Sequence, residues 1–315
     1  MRVVSVTPAG RRRYLAALVP HLLRQRHVIA EHHWWLNTSD EADVRYIREI
    51  TARHPDFFKI CDLPGDPQLN IGQSIWRFFR HYVQPGTLYI RFDDDIVYMA
   101  DDAVVNLVRY RLTHREPLLV VGNIVNNAVC AHFQQRAGLI PLAWGKVQNE
   151  CLDRNAWRRG PFPRKLHQLF LNDLLQGRED RWKQIPMRID GRRRFSINVI
   201  SWMGDDLRQV PELASDRIEE EPFLTETLPA RMNRPNAACP SALFAHFAYY
   251  SQRPYLEWTW PELIGHYQRI ASQLSPEPLR ELPLTLLRHA AWRMSRPVGR
   301  LREKLLMRWR GQQAA

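Results

Sequence analysis

The chain has 315 residues, 45% of them hydrophobic and 25% charged, a balance that excludes a disordered polar chain and leaves material for a sizeable core. It contains no run of 18 apolar residues, and its N-terminus, Met-Arg-Val-Val-Ser-Val-Thr-Pro, lacks the apolar centre of a signal peptide; the expectation is a cytoplasmic protein whose membrane contact would be peripheral. A formal charge of +12 points to acidic partners, whether nucleic acid, a nucleotide diphosphate or an anionic lipid surface, and Cys61, Cys130, Cys151 and Cys239 show no zinc-finger or redox-pair spacing.

In chain order, Arg2 to Val6 reads as a strand, Pro8-Ala9-Gly10 as a turn, and Arg11 to Gln25 as a helix with Leu15, Leu18, Val19, Leu22 and Leu23 on one face. Arg11, Arg12 and Arg13 fall on that helix's first turn, where the backbone dipole disfavours cations. A phosphate bound there would account for them, and so would a solvated basic turn. Val28 to Leu36 is a second strand, Asn37-Thr38-Ser39-Asp40 caps a helix from Glu41 to Arg53, and Phe57 to Cys61 is a third strand. Asn70 to Tyr82 carries Ile71, Ile75, Phe78, Phe79 and Tyr82 at helical spacing and leads into a strand over Thr87 to Phe92. This alternation predicts an α/β fold, a mainly parallel sheet covered by helices on both faces.

Asp93, Asp94 and Asp95 follow that strand directly, at the edge where α/β proteins bind ligands. Alternation along an extended chain turns Asp93 and Asp95 one way and Asp94 the other. Two neighbouring carboxylates repel unless a cation lies between them, and hard oxygen ligands select Mg²⁺ or Mn²⁺. The bland alternative is an acidic turn capping a helix. Ile96, Val97, Tyr98 and Met99 enclose the acids with core-forming sequence on the far side, which favours a site over a solvated turn.

Further on, Asp101 and Asp102 precede a helix to about His114, and Pro117 to Val121 is an apolar strand ending in Gly122-Asn123-Ile124-Val125-Asn126-Asn127. Those amides suit sugar hydroxyls and ordinary turns equally. Residues 138 to 186 read as an irregular excursion with a helix near Arg164 to Leu175, the best place for acceptor contact. Phe195 to Trp202 is strand-like and is followed by Met203-Gly204-Asp205-Asp206, where either acid could serve as a general base or as a helix cap. Glu219-Glu220-Glu221-Pro222 reads as a solvated turn, Thr225 to Pro229 as a short extended segment, and Ser241 to Tyr250 as a late apolar strand. His246 on that strand is a packed core residue, or a metal ligand if the strand returns beside the acids. Glu262 to Leu274 is helical, and residues 276 to 315 form an arginine-rich amphipathic tail suited to an anionic membrane surface or to packing on a single domain of residues 1 to 275.

Taken together, Thr7-Pro8-Ala9-Gly10-Arg11-Arg12-Arg13-Tyr14, Trp35-Leu36-Asn37-Thr38, Ile90-Arg91-Phe92-Asp93-Asp94-Asp95-Ile96-Val97, Asn123-Ile124-Val125-Asn126, Trp202-Met203-Gly204-Asp205-Asp206 and Ala245-His246-Phe247 resemble nucleotide-sugar-dependent glycosyltransferases of the Rossmann-like GT-A fold, and more narrowly a group of bacterial and fungal glycosyltransferases. The resemblance implies a nucleotide-diphosphate sugar donor, a hydroxyl acceptor on a glycan or glycolipid, and Mn²⁺ or Mg²⁺ bound through Asp93 and Asp95 with His246 completing the shell. It places Pro8, Gly10, Arg11, Arg12, Arg13, Asn37, Asp93 and Asp94 on the donor, Asp206 with Asp205 in reserve as base, and Asn123, Asn126 and Trp202 on the acceptor side. Residues 138 to 195 match no acceptor motif. A metal-dependent phosphodiesterase or nuclease, and a non-enzymatic nucleic-acid or membrane-binding protein, are the rival readings. The scatter of the basic residues along the chain, outside any nucleic-acid motif, counts against the last.

Overall fold

A computed structural model describes residues 1–63, 71–189, 193–208 and 219–274; the expected tail lies outside them. Eight strands form one mixed, mostly parallel sheet: β1 (Arg2–Ala9), β2 (Glu31–Leu36), β3 (Phe58–Cys61), β4 (Thr87–Phe92), β5 (Ile96–Met99), β6 (Val120–Val125), β7 (Val199–Met203) and β8 (Ala237–His246), in the order β3-β2-β1-β4-β7-β6-β8-β5. The pairs β1–β2, β1–β4, β2–β3 and β6–β8 are parallel. Strand β7 runs against both β4 and β6, and β5 against β8.

All six residues of β4 are buried, which is why its sequence is almost continuously apolar and does not alternate: helices cover both faces. Helix α1 (Arg12–Arg24) buries Tyr14, Leu15, Leu18, Val19 and Leu22 against β5 and a late helix, Leu263–Ser272. Helix α2 (Glu41–Arg53) begins where Asp40 accepts the amides of Ala42 and Asp43 at 2.8 and 3.1 Å, a cap worth about 1 kcal/mol. Helices α3 (Ile71–Tyr82) and α4 (Ala103–Thr113) precede β4 and follow β5. Helix α5 (Ala128–Arg136), capped by Asn127, and α6 (Pro161–Leu175) lie between β6 and β7. Among the described residues no helix is long and apolar enough to cross a membrane.

Several segments differ from expectation. Strand β1 continues through Pro8 and Ala9 where a turn was expected; Pro8 pairs only with Trp35 of β2, because pairing with β4 ends at Val6, so its missing N–H breaks no ladder. The residues after the acids form β5, and Asn123 lies inside β6 instead of after it. The expected extended segment from Thr225 to Pro229 is helical, over Phe223–Thr227 and Leu228–Arg231. Strand β8 starts and ends earlier than expected, leaving Tyr249 and Tyr250 beyond its end.

Burial pushes the imidazoles of His21 and His167 down to about 4. Unfolded histidine titrates near 6.5, so the unfolded chain takes up protons that the fold excludes. Stability should be full above about pH 6.5 and fall as the pH drops toward 4, by at most on the order of 3 kcal/mol for each residue. Urea melts at pH 7.5, 6 and 5 should show this slope, and His21→Gln should flatten it.

Candidate active site

The directions of the strands decide which residues meet. The carboxyl ends of β1, β4, β6 and β8 and the amino end of β7 share one edge of the sheet. There a tight turn, closed by Ile96 N–H donating to the Asp93 carbonyl at 3.1 Å, carries the chain from β4 to β5. Because Ile96 is registered with His246, the turn sets Asp95 directly beside that histidine. Asp93, Asp95, His246 and Arg11 line one cavity of about 750 Å³ together with Arg253, Asn198, Ser196, Arg194, Glu219, Glu220, Glu221 and an aromatic group, Trp157, Tyr249 and Tyr250.

Each carboxylate is held differently. Asp93 Oδ1 accepts Arg91 Nε and Nη2 at 3.1 and 3.0 Å, and its Oδ2 accepts Asn198 Nδ2 at 3.1 Å. Arg91 itself is buried and turns its remaining nitrogen to Glu220. Asp94 receives Arg11 Nε at 2.9 Å on each oxygen and an Arg11 terminal nitrogen as well. Asp95, 2% exposed, has Arg11 Nη1 and Arg253 Nη2 each 3.0 Å from Oδ2, with His246 Nε2 at 3.4 Å. Burial pushes the Asp95 carboxyl up, but Arg11, His246 and Arg253 outweigh it and hold the pKa well below the carboxylate range. Asp95 is therefore charged throughout neutral pH.

His246 supplies a test of whether a divalent cation fits here. Its Nδ1 lies 3.0 Å from the Asn126 carbonyl, which can only accept. Nδ1 must therefore donate there, and Nε2, facing the Asp95 carboxylate at 3.4 Å, either carries the second proton by which His246 pairs with Asp95 or is left as an acceptor. Two acceptors face each other unless a second proton or a cation lies between them. A ring nitrogen freed for coordination by a hydrogen bond from its other nitrogen to a backbone carbonyl is the usual arrangement of metal-binding histidines. The donor set of two carboxylates and one imidazole suits Mn²⁺ or Mg²⁺. Two arginines neutralise Asp95, and among the described residues no group of three or more His, Cys, Asp or Glu side chains is close enough together to hold a metal ion.

Other predicted residues lie elsewhere. Asp205 and Asp206 follow β7, which runs antiparallel to β4 with Met203 opposite Leu88 and Val199 opposite Phe92. They therefore sit at the far edge of the sheet, separated from the acids by the whole length of β7, more than roughly 13 Å. There Asp205 accepts the Gly86 amide at 2.8 Å, and Asp206 bridges Arg111 and Arg234 at 3.2 and 2.5 Å. The assignment of either as base is corrected to a structural role, since no acceptor bound at the cavity reaches them. Asp206→Asn should accordingly lower the melting temperature by a few degrees, as expected for loss of about 1–2 kcal/mol from a partly exposed charged pair, while nucleotide affinity stays within twofold.

The acceptor-side candidates are corrected for the same kind of reason. Trp202 is fully buried and stacks on Tyr89. Asn123 is buried, donating to the Trp182 and Pro240 carbonyls. Asn126, in the left-handed region at φ 64°, donates to the Phe247 carbonyl and Gln252. Of the three N-terminal arginines only Arg11 faces the cavity; Arg12 reaches Asp40 and Asp43, and Arg13 reaches Glu257. Asp94 is engaged with Arg11 and does not line the cavity. Pro8, Gly10 and Asn37 lie at the same sheet edge, at and just beyond the ends of β1 and β2, outside the cavity lining.

The sequence reading missed Arg253, Asn198, Trp157, Tyr249 and Tyr250, and took Glu219 to Glu221 for a solvated turn. Glu220 is instead tied to Arg91, and Glu221 to Arg194 at 2.7 Å.

No family model and no curated protein sequence matches the chain. Among solved structures it is similar to glucosyl-3-phosphoglycerate synthase from Mycobacterium tuberculosis in complex with Mn²⁺, UDP and phosphoglyceric acid, at 13% identity over 86% of this chain and 78% of that one, with a TM-score of 0.43. The same enzyme with Mn²⁺ and UDP-glucose aligns at 12% identity over 89% and 80%, TM-score 0.42. A 4-diphosphocytidyl-2C-methyl-D-erythritol synthase from Anaerococcus prevotii aligns at 9% identity over 86% and 98%, also with a TM-score of 0.43.

Proposed function

We propose that the chain is a glycosyltransferase that moves a sugar from a nucleotide diphosphate to a hydroxyl acceptor with the help of a divalent cation. The observation that carries this reading is the convergence of Asp93, Asp95 and His246 with Arg11 and Arg253 on one cavity at the carboxyl edge of the sheet. Asp93, Asp95 and His246 would hold the cation, which when bound neutralises charge growing on the leaving diphosphate. Arg11 and Arg253, relieved of Asp95, would turn to phosphate oxygens. In the transfer an acceptor oxygen bonds to the anomeric carbon while the bond from that carbon to the phosphate oxygen breaks. The bonding pair leaves with the diphosphate, and the acceptor's proton passes to a carboxylate of the cavity wall.

Glu219 suits that last role: it lines the cavity, is exposed, and has no side-chain ion pair among the described residues, whereas Glu220 and Glu221 are held by Arg91 and Arg194. Glu219→Gln should lower kcat for nucleotide release by about 100-fold or more and leave donor affinity within twofold. Equal losses in both would remove Glu219 from the mechanism. The reading as a whole is tested by calorimetry of UDP and GDP with and without MnCl₂. Binding of at least one should tighten about tenfold or more with the metal, and metal-independent binding of both would refute it.

A further inference from the structure

The cavity is chemically divided. One part gathers Asp93, Asp95, His246, Arg11 and Arg253, the groups assigned above to cation and diphosphate. The remaining wall is of another kind. Leu152, Trp157, Tyr249 and Tyr250 are largely apolar, and opposite chemistry comes from Arg194, Ser196 and the glutamates. Trp157 lies on a short π-helical turn, Arg154–Arg158, capped by Asp153. Its ring meets Tyr250 edge-on at 5.2 Å and Tyr249 at 5.9 Å, and Ser251 pins the turn by donating to the Trp157 carbonyl at 2.6 Å. Tyr250 is 72% exposed, an unusual expense of aromatic surface unless something covers it.

Resting on the glycosyltransferase reading, we propose that this wall is the acceptor subsite and that its acceptor is an uncharged sugar. A pyranose has one face of polarised C–H bonds, which stacks on the electron-rich face of an indole or phenol. Its rim of hydroxyls needs both donors and acceptors, and the wall offers carboxylates at Glu219 and Glu221 and a guanidinium at Arg194 in one place. Among the described residues the charge balance disfavours an acidic acceptor. Arg194, the one cation lining this wall among the described residues, is already spent on Glu221 at 2.7 Å, and Glu220 is balanced by Arg91. Among the described residues Glu219 is left as net negative charge on this wall, so a carboxylate or phosphate on the acceptor would meet repulsion there.

The test uses the full chain with MgCl₂ and UDP or GDP, whichever binds. Saturation-transfer NMR would compare methyl glycosides of neutral hexoses with 3-phosphoglycerate and glucuronic acid, while calorimetry follows the nucleotide. At least one neutral glycoside should bind with saturation concentrated on its ring C–H protons. Trp157→Ala and, at the exposed position, Tyr250→Ala should each weaken it at least tenfold with nucleotide affinity within twofold. Should Trp157→Ala fail to fold, Tyr250→Ala carries the test alone. Tighter binding of either acid than of every neutral glycoside, or neutral binding untouched by Tyr250→Ala, overturns the proposal. Absence of nucleotide binding in the unsubstituted protein would instead overturn the donor reading, because the glycoside arm is measured separately.

Discussion

Asp95→Asn should weaken cation-dependent binding of a nucleoside diphosphate by about 100-fold or more, the scale expected for loss of a ligand whose supporting shell alone is worth 10–100-fold. Asparagine keeps the shape and one acceptor oxygen but removes the charge. At this 2% exposed position that charge balances Arg11 and Arg253 together, so the substitution also leaves two guanidinium groups competing for Asp94 and for solvent. The folded protein should lose stability as well, on the order of 3 kcal/mol for an uncompensated buried charge. The two effects separate by titration: binding loss persists at temperatures where circular dichroism shows the variant fully folded. Unchanged metal-dependent affinity in Asp95→Asn would show that the cation lies elsewhere.

The second large effect is expected at Arg91. Its guanidinium is buried between Asp93 and Glu220, linking the strand that ends in the acids to the segment that forms the cavity's other wall. Burial pulls the Arg91 pKa down, but Glu220 and Asp93 more than restore it, so the group is a permanent cation in a dry place. Arg91→Leu leaves the Glu220 carboxylate enclosed without a partner and should cost about 3–5 kcal/mol, a fall in Tm of roughly 6–15 °C. Glu220→Gln in the same chain should restore part of the loss, giving a coupling of at least about 1 kcal/mol in a double-mutant cycle. Strict additivity would mean that the pair contributes little. Because Arg91 also orients Asp93, Arg91→Leu should reduce metal affinity even where the fold is intact.

How far the sequence foretold this arrangement depends on the range of the information. The first half was legible because its signals are local: Asp40, the last residue of the expected capping cluster, caps α2, the apolar run Thr87–Phe92 is β4, and helical spacing places α3. Strand direction in the second half is not local. The residues of β7 read as a strand whichever way it runs, and the base reading of Asp205 and Asp206 held only if the carboxyl end of that strand lay near the first acids. Running antiparallel, β7 instead delivers its preceding residues, Ser196 and Asn198, to the site. The same gap hid Glu220, whose partner Arg91 is 129 residues away, and Arg253, which reaches Asp95 across 158 residues. His246 was readable only conditionally, since the β5–β8 register that sets it beside Asp95 depends on a four-residue strand with no turn signal of its own.

On the proposed reading, Asp93, Asp95 and His246 share a cation that meets a nucleoside diphosphate. Crystals grown with MnCl₂ and the nucleotide that binds best, measured at the manganese absorption edge, test it most directly. One strong anomalous peak is expected within coordinating distance of all three side chains, with diphosphate oxygens beside it and Arg253 turned from Asp95 toward them. A peak lodged elsewhere, or nucleotide bound with Arg11 and Arg253 still closed on Asp95, would contradict it.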